Sequence, residues 1–89
     1  MNNFYGILKI EKISEVIFDY YNKCKLYCYI TCKDTDSKKY NNRIILKCKE
    51  TLIDNIYSKL KVDSYIFILG KVESNKKYNV DVKYLELVL

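Results

Sequence analysis

The sequence predicts an all-β fold, a five-stranded Greek-key barrel with one short helix between its third and fourth strands. Three observations carry that expectation. Most of the chain alternates with period two, one interval from Thr51 to Leu60 has helical period, and 89 residues suffice for a single core.

The first strand is expected from Phe4 to Ile13, a β-rich run that alternates regularly from Leu8 and continues with a kink toward Phe18. Asp19 to Lys23 is a polar break. Cys24 to Lys33 then alternates without interruption, so Cys24, Leu26, Cys28, Ile30 and Cys32 are expected inside and Lys25, Tyr27, Tyr29, Thr31 and Lys33 outside. Asp34 to Asn42 is polar throughout and holds the turn chemistry of an extended hairpin tip. Arg43 to Lys49 is the returning strand, with Ile44, Leu46 and Cys48 inward and Arg43, Ile45, Lys47 and Lys49 outward.

At Thr51 the period changes. Leu52, Ile53, Ile56 and Leu60 fall at helical spacing, with Asp54 early and Lys59 late, as the helix dipole favours, so a helix is expected over Thr51 to Leu60. Tyr65 to Val72 is a continuous apolar run, and Gly70 near its end suits a barrel bend or a close backbone approach. Lys77 to Leu89 closes the sheet. Its alternation through Tyr78, Val80, Val82 and Tyr84 changes phase at Leu85, which predicts a bulge or bend near Tyr84. Tyr65 and Tyr84 are expected to pack, and Tyr57 to cover the helix surface.

Three strands, a helix and two strands is the element order of the OB-fold, a five-stranded Greek-key barrel. Closure lets so short a chain cover its apolar sheet face, and that burial offsets ~1 to 2 kcal/mol of backbone entropy per residue. The same order also permits an open α+β sheet with the helix across one face.

Composition alone says little about function. Lys, Asn, Ile and Tyr fill 44 of the 89 positions, Pro, Trp and His are absent, and Arg43 is the single arginine. This is drift toward AT-rich codons, as in organelle genomes and low-GC bacteria, so richness in Lys and Tyr is no signature by itself. No run approaches the ~18 apolar residues of a membrane span, and the N-terminal residues lack the pattern of a signal peptide. A soluble protein of a reducing compartment is expected, in a plastid stroma or nucleoid or in the cytoplasm of a low-GC bacterium. Cys24, Cys28, Cys32 and Cys48 form no CxxC pair and have no histidine beside them, so they read as small buried apolar residues, with neither metal nor cofactor expected.

Position carries what composition does not. Residues 1–22 have a net charge of −1 and residues 50–89 a net charge of zero, whereas residues 23–49 hold +6. The whole excess lies in the second and third strands and their hairpin. Lys25, Lys33, Arg43, Lys47 and Lys49 are expected on the outer face around Tyr27 and Tyr29, with Lys38, Lys39 and Tyr40 toward the tip. Cations neutralise phosphates with release of counterions, and a flat ring stacks on any base for ~1 to 3 kcal/mol. These ten residues form the candidate nucleic-acid-binding set. Strand propensity and edge protection also place Tyr and Lys outward, so the argument rests on rings and cations sharing one face. With no His, no paired-carboxylate motif and no phosphate-cradling glycine loop, catalysis is not expected.

Ile44-Ile45-Leu46, followed by Asp54-Asn55-Ile56, Leu60-Lys61-Val62-Asp63-Ser64 and Ile68-Leu69-Gly70-Lys71-Val72, resembles the bacterial-type single-stranded DNA-binding protein family. The runs look like that family's third strand, its E-N-V-x-x-x-L-x-x-G-x helix and exit, and its h-x-G-x-L fourth strand, where h is apolar. Gly6-Ile7-Leu8 agrees in position with the family's start, so the resemblance spans most of the chain.

The resemblance implies non-sequence-specific binding of single-stranded DNA in replication, recombination or repair, and a homo-oligomer, dimer or tetramer, joined through the first strand. That family usually stacks bases on Trp and Phe of its third strand, where this chain has Arg43 and Lys49, so electrostatics is expected to replace stacking there. A chain stopping at Leu89 is similar to short, tail-less relatives such as primosomal and plastid-encoded forms. Two other roles suit the same face: an adaptor in a replication-restart or RNA-binding assembly, and a structural subunit docking on an acidic partner.

Overall fold

The first strand pairs twice, and the barrel follows from that. In the computed structural model, which describes residues 2–34, 43–73 and 76–88, without the side chains of residues 24, 25, 50, 53 and 55, the strands are β1 (Asn3–Ile13), β2 (Ile17–Asp19), β3 (Cys24–Asp34), β4 (Arg43–Lys49), β5 (Tyr65–Val72) and β6 (Val80–Val88). β1 runs antiparallel to β5 from Asn3 to Lys9 and antiparallel to β3 from Leu8 to Ile13. An irregularity between Ile10 and Lys12, with Glu11 as the extra residue, bends it from one partner to the other.

The remaining ladders close the ring. β3 pairs antiparallel with β4, β4 pairs parallel with β6 through Leu46↔Val80 and Lys47↔Asp81, and β6 pairs antiparallel with β5. The fold is thus all-β, with five strands in the order β1–β3–β4–β6–β5 closing on β1, and β2 added as a sixth at the side of β3. Inside the ring Leu8, Ile10, Cys28, Ile30, Cys32, Leu46, Ile66, Ile68, Val80 and Val82 are shut away from solvent, each from the inward parity of its strand.

Five expectations need correction. The sheet has six strands, because the continuation toward Phe18 is a separate strand: Ser14 breaks β1 by exchanging hydrogen bonds with Tyr29, and β2 resumes along the same edge of β3. The ten-residue helix is not found. Among the described residues one short α-helix, α1 (Glu50–Ile56), gives way to a 3-10 turn at Tyr57–Lys59. The chain must leave the helix early because Asp63 N–H donates to the Ile10 carbonyl at 2.8 Å and Ile10 N–H to that of Ser64 at 2.9 Å, with Asp63 in the left-handed region at φ 70°.

Leu26 is exposed, not inward, since β1 covers β3 only as far as Ile30 and Leu26 lies beyond the core. Tyr65 and Tyr84 point outward and are nearly half exposed; the run from Tyr65 to Val72 is apolar on both faces, and Ile66 and Ile68 are its inner residues. Tyr57 does not cover the helix surface: it packs against the core and donates its hydroxyl to the Ser14 carbonyl at 2.8 Å.

The expected bulge is present. Gly70 pairs with Val82 and Leu69 with Tyr84, leaving Lys83 as the extra residue of β6. β6 crosses so close to Gly70 that a Cβ there would lie 2.5 Å from the Asp81 carbonyl oxygen and 2.7 Å from Val80 Cγ1. Among the described residues no helix is long and apolar enough to cross a membrane.

Candidate nucleic-acid interface

The β3–β4 register builds the site. Tyr27 stands opposite Lys49, Tyr29 opposite Lys47, Thr31 opposite Ile45 and Lys33 opposite Arg43, all on the face away from buried Cys28, Ile30, Leu46 and Cys48. Tyr29 directs its backbone N–H to Ser14 Oγ at 2.8 Å, and its carbonyl accepts from Ser14 N–H at 2.9 Å, so its polar groups point away from β4. Tyr29 and Lys47 therefore form a non-hydrogen-bonded pair, the narrow kind in which Cα atoms approach to ~4.5 Å and side chains are closest.

At the centre lies an aromatic cluster around one cation. The Tyr27 and Tyr29 rings meet edge to face at 5.4 Å, and Tyr78 stacks on Tyr29 at 6.1 Å. Lys47 Nζ sits 4.5 Å from the Tyr27 centroid and 5.1 Å from that of Tyr78. A cation over a ring in such a partly desolvated place is worth about 0.5 to 2 kcal/mol. Burial, and then hydrogen bonding to Tyr27, raise the Tyr29 phenol above its ordinary pKa, so it stays neutral.

Tyr78 is missing from the sequence-derived set. Alternation places it with Val80, whereas it precedes β6 in a segment tied to β4. Asn79 makes that tie: its Oδ1 accepts from Ile45 N–H at 2.9 Å and its N–H donates to the Ile45 carbonyl at 2.8 Å. An Asn just before a strand is the one sequence signal of such a side-chain clasp.

The other described cations around this cluster share carboxylates. Glu11, the half-buried extra residue of the β1 bulge, receives Arg43 Nε at 2.8 Å and Lys33 Nζ at 3.7 Å, and the Arg43 hydrogen bond foremost lowers its pKa. At the other end Asp81 takes Lys83 at 3.1 Å and Lys49 at 3.4 Å. Asp81 is only 6% exposed. Burial opposes its ionisation, but the hydrogen bond from Lys83 and the charge of Lys49 outweigh that and hold its carboxyl below the ordinary value.

The structure thus brings Tyr27, Tyr29, Lys47 and Lys49 together, and sets Lys33 and Arg43 further along the same face. The backbone of Lys25 lies in β3 opposite Phe18, and its side chain lies outside the description. Lys38, Lys39 and Tyr40 also lie outside the described residues.

Beneath the face, Cys28, Cys32 and Cys48 are free, buried thiols. Burial, and to a lesser degree Glu11, push the Cys32 thiol up to about 12, while a hydrogen bond to Cys28 and burial raise Cys48. They act as core residues. Comparison with protein-family models, curated proteins and solved structures finds no significant match to this chain.

Proposed function

We propose that this barrel is an OB-fold and that the chain binds single-stranded DNA without sequence specificity, in replication, recombination or repair. The observation that carries the reading is Lys47 set among Tyr27, Tyr29 and Tyr78 on the outer β3–β4 face. Rings supply sequence-tolerant stacking, and the cation lies where a phosphate can pass. Strand order supports the fold assignment: one parallel pair, β4–β6, closes a ring that is otherwise antiparallel, and α1 lies between β4 and β5. Asp63 supports the resemblance, because it occupies the place of the family pattern's helix-exit glycine and adopts a positive φ.

Fluorescence anisotropy with labelled oligo(dT) tests the reading. Binding at low salt that weakens steeply as salt rises is expected; no binding at low salt, or binding indifferent to salt, overturns it.

The ion pairs favour a second reading. Glu11 and Asp81 together engage four of the cations, which lowers the charge available to phosphates and suits an adaptor of a replication-restart or RNA-binding assembly with modest affinity for DNA. A preference for oligo(rU) or duplex over oligo(dT) selects that reading.

Homo-oligomerisation belongs to the same proposal. Tyr5, Ile7, Leu69 and Tyr84 are exposed on the outer wall of β1, β5 and β6, where Tyr5 pairs with Leu69 and Leu69 with Tyr84. β5 pairs with neither β3 nor β4, so a second copy seated on its outer side leaves the candidate face open. Light scattering that reports a monomer at every concentration removes this part.

A further inference from the structure

Three cations stand in one row across the outer wall of the barrel. Lys9 of β1 pairs directly with Lys33 of β3, and Lys33 pairs directly with Arg43 of β4. Directly opposed residues of a ladder share a face, and Leu8, Ile10 and Cys32 beside them are buried, so all three turn outward. Like charges opposed in this way repel, and Glu11 offsets that repulsion. As the extra residue of the β1 bulge it reaches across β3 to a strand that β1 does not pair with: its Oε2 accepts from Arg43 Nε at 2.8 Å, and its Oε1 lies 3.7 Å from Lys33 Nζ.

That geometry is also the one a phosphate takes among cations, with two oxygens of a single anion each turned to a different donor. Arg43 is the single arginine of the chain, and a guanidinium matches phosphate with a planar fork of five N–H donors, of which the Nε–H goes to Glu11. The Arg43 side chain is 62% exposed and that of Lys33 44%, so the row is open to a ligand from outside. Lys33 has the outward parity of Tyr29 on β3 and stands roughly 13 Å further along the strand, so the row and the aromatic cluster lie on one continuous face.

We propose that Lys9, Lys33 and Arg43 form a phosphate subsite at that end of the interface, and that Glu11 fills it in the free chain as a built-in competitor that the bound strand displaces. This rests on the single-strand reading above, to which it adds Lys9 and Glu11. A part-exposed ion pair is weak, so the carboxylate yields readily. A strand already engaged at Lys47 and the tyrosines delivers its next phosphates to the row at high effective concentration. An acidic protein segment also could meet three cations, but the face shared with Tyr27, Tyr29 and Lys47 favours the polynucleotide.

Glu11→Gln keeps the size of the side chain and removes the competing charge. In anisotropy titrations with labelled oligo(dT) of about 16 nucleotides, the upper site size of such barrels, it should bind about three- to tenfold more tightly than the native chain at low salt. The gain should vanish when Arg43→Ala is combined with it, because no fork is then left to release. Glu86→Gln removes the same charge from β6 where it pairs with Phe67 of β5, and should show no gain. Lys9→Ala should lower the slope of log affinity against log salt by ~0.7. A gain that persists without Arg43, or that Glu86→Gln reproduces, reports net charge alone, and an unchanged or weaker affinity of Glu11→Gln means that Glu11 is no competitor. Each of these, or an unchanged slope in Lys9→Ala, overturns the subsite and leaves the parent reading intact, since the native chain still binds. Failure of the native chain and Glu11→Gln alike to bind removes both. Circular dichroism of the variants matching that of the native chain establishes that they fold, and if Glu11→Gln does not, the Lys9→Ala slope decides.

Discussion

Lys47 holds its ammonium 4.5 Å from the centre of the Tyr27 ring, so the middle cation of the candidate face is positioned by aromatic neighbours. Four other described cations differ: Lys33 and Arg43 share Glu11, and Lys49 and Lys83 share Asp81. Among the described residues Lys47 is thus the cation best placed to exchange its present contact for a phosphate, since leaving a ring strands no carboxylate. Lys47→Ala should reduce the slope of log affinity against log salt by ~0.7, the share of one phosphate contact on a single strand. Lys47→Arg should keep the slope. An unchanged slope in the Ala variant argues that phosphates pass elsewhere.

Rings and cations should separate in such a titration. Tyr29→Ala and Tyr78→Ala should each weaken oligo(dT) binding by ~1 to 3 kcal/mol with little change in salt slope, because stacking releases no counterions. Tyr27 also packs against the core, so Tyr27→Ala should lower thermal stability as well as affinity, and Tyr27→Phe should spare both. Affinity is read by anisotropy and stability by thermal melting.

The face itself was legible in the sequence because it depends on two short-range facts: uninterrupted alternation in β3 and β4, and a hairpin that sets them side by side. Neither fact reports how far the barrel reaches. Leu26 has the parity of a core residue, yet β1 ends its pairing at Ile30, and only the tertiary limit exposes it. Tyr78 lies outside any strand, and the ion pair of Glu11 with Arg43 joins strands that no local pattern pairs. Tyr20 and Tyr21 sit in a stretch that reads as a polar break, since Asp19, Asn22 and Lys23 surround them. Local alternation records which way a residue points within its strand, whereas closure of the ring decides whether anything covers it.

Gly70 should tolerate no side chain. The Cβ of an alanine there would lie 2.5 Å from a backbone oxygen and 2.7 Å from a buried methyl group, and the backbone of β6 has no room to withdraw without breaking the bulge at Lys83. Overpacking of this kind typically costs 1 to 3 kcal/mol, and contact with backbone places Gly70→Ala toward the upper end, about 2 to 3 kcal/mol. Urea denaturation is the measurement. A midpoint like that of the native chain means that β6 yields at the bulge.

Asp81 should make the fold sensitive to acid. Its carboxyl titrates below the ordinary value in the folded chain, so the unfolded chain takes up the proton first as the pH falls. The stability contributed by the ionised form is therefore complete above the ordinary Asp value of ~3.9 and is lost as the pH drops through the depressed folded value. Asp81→Asn keeps the size and removes the charge. The variant should be less stable than the native chain near neutral pH, where Lys49 and Lys83 lose their shared partner. The gap should narrow as the native carboxylate protonates, on the acid side of pH ~4. Denaturant midpoints measured from neutral pH down to pH ~3 decide the matter. A gap that stays constant across that range means that the contribution of Asp81 comes from packing between β4 and β6, with its charge irrelevant to the fold.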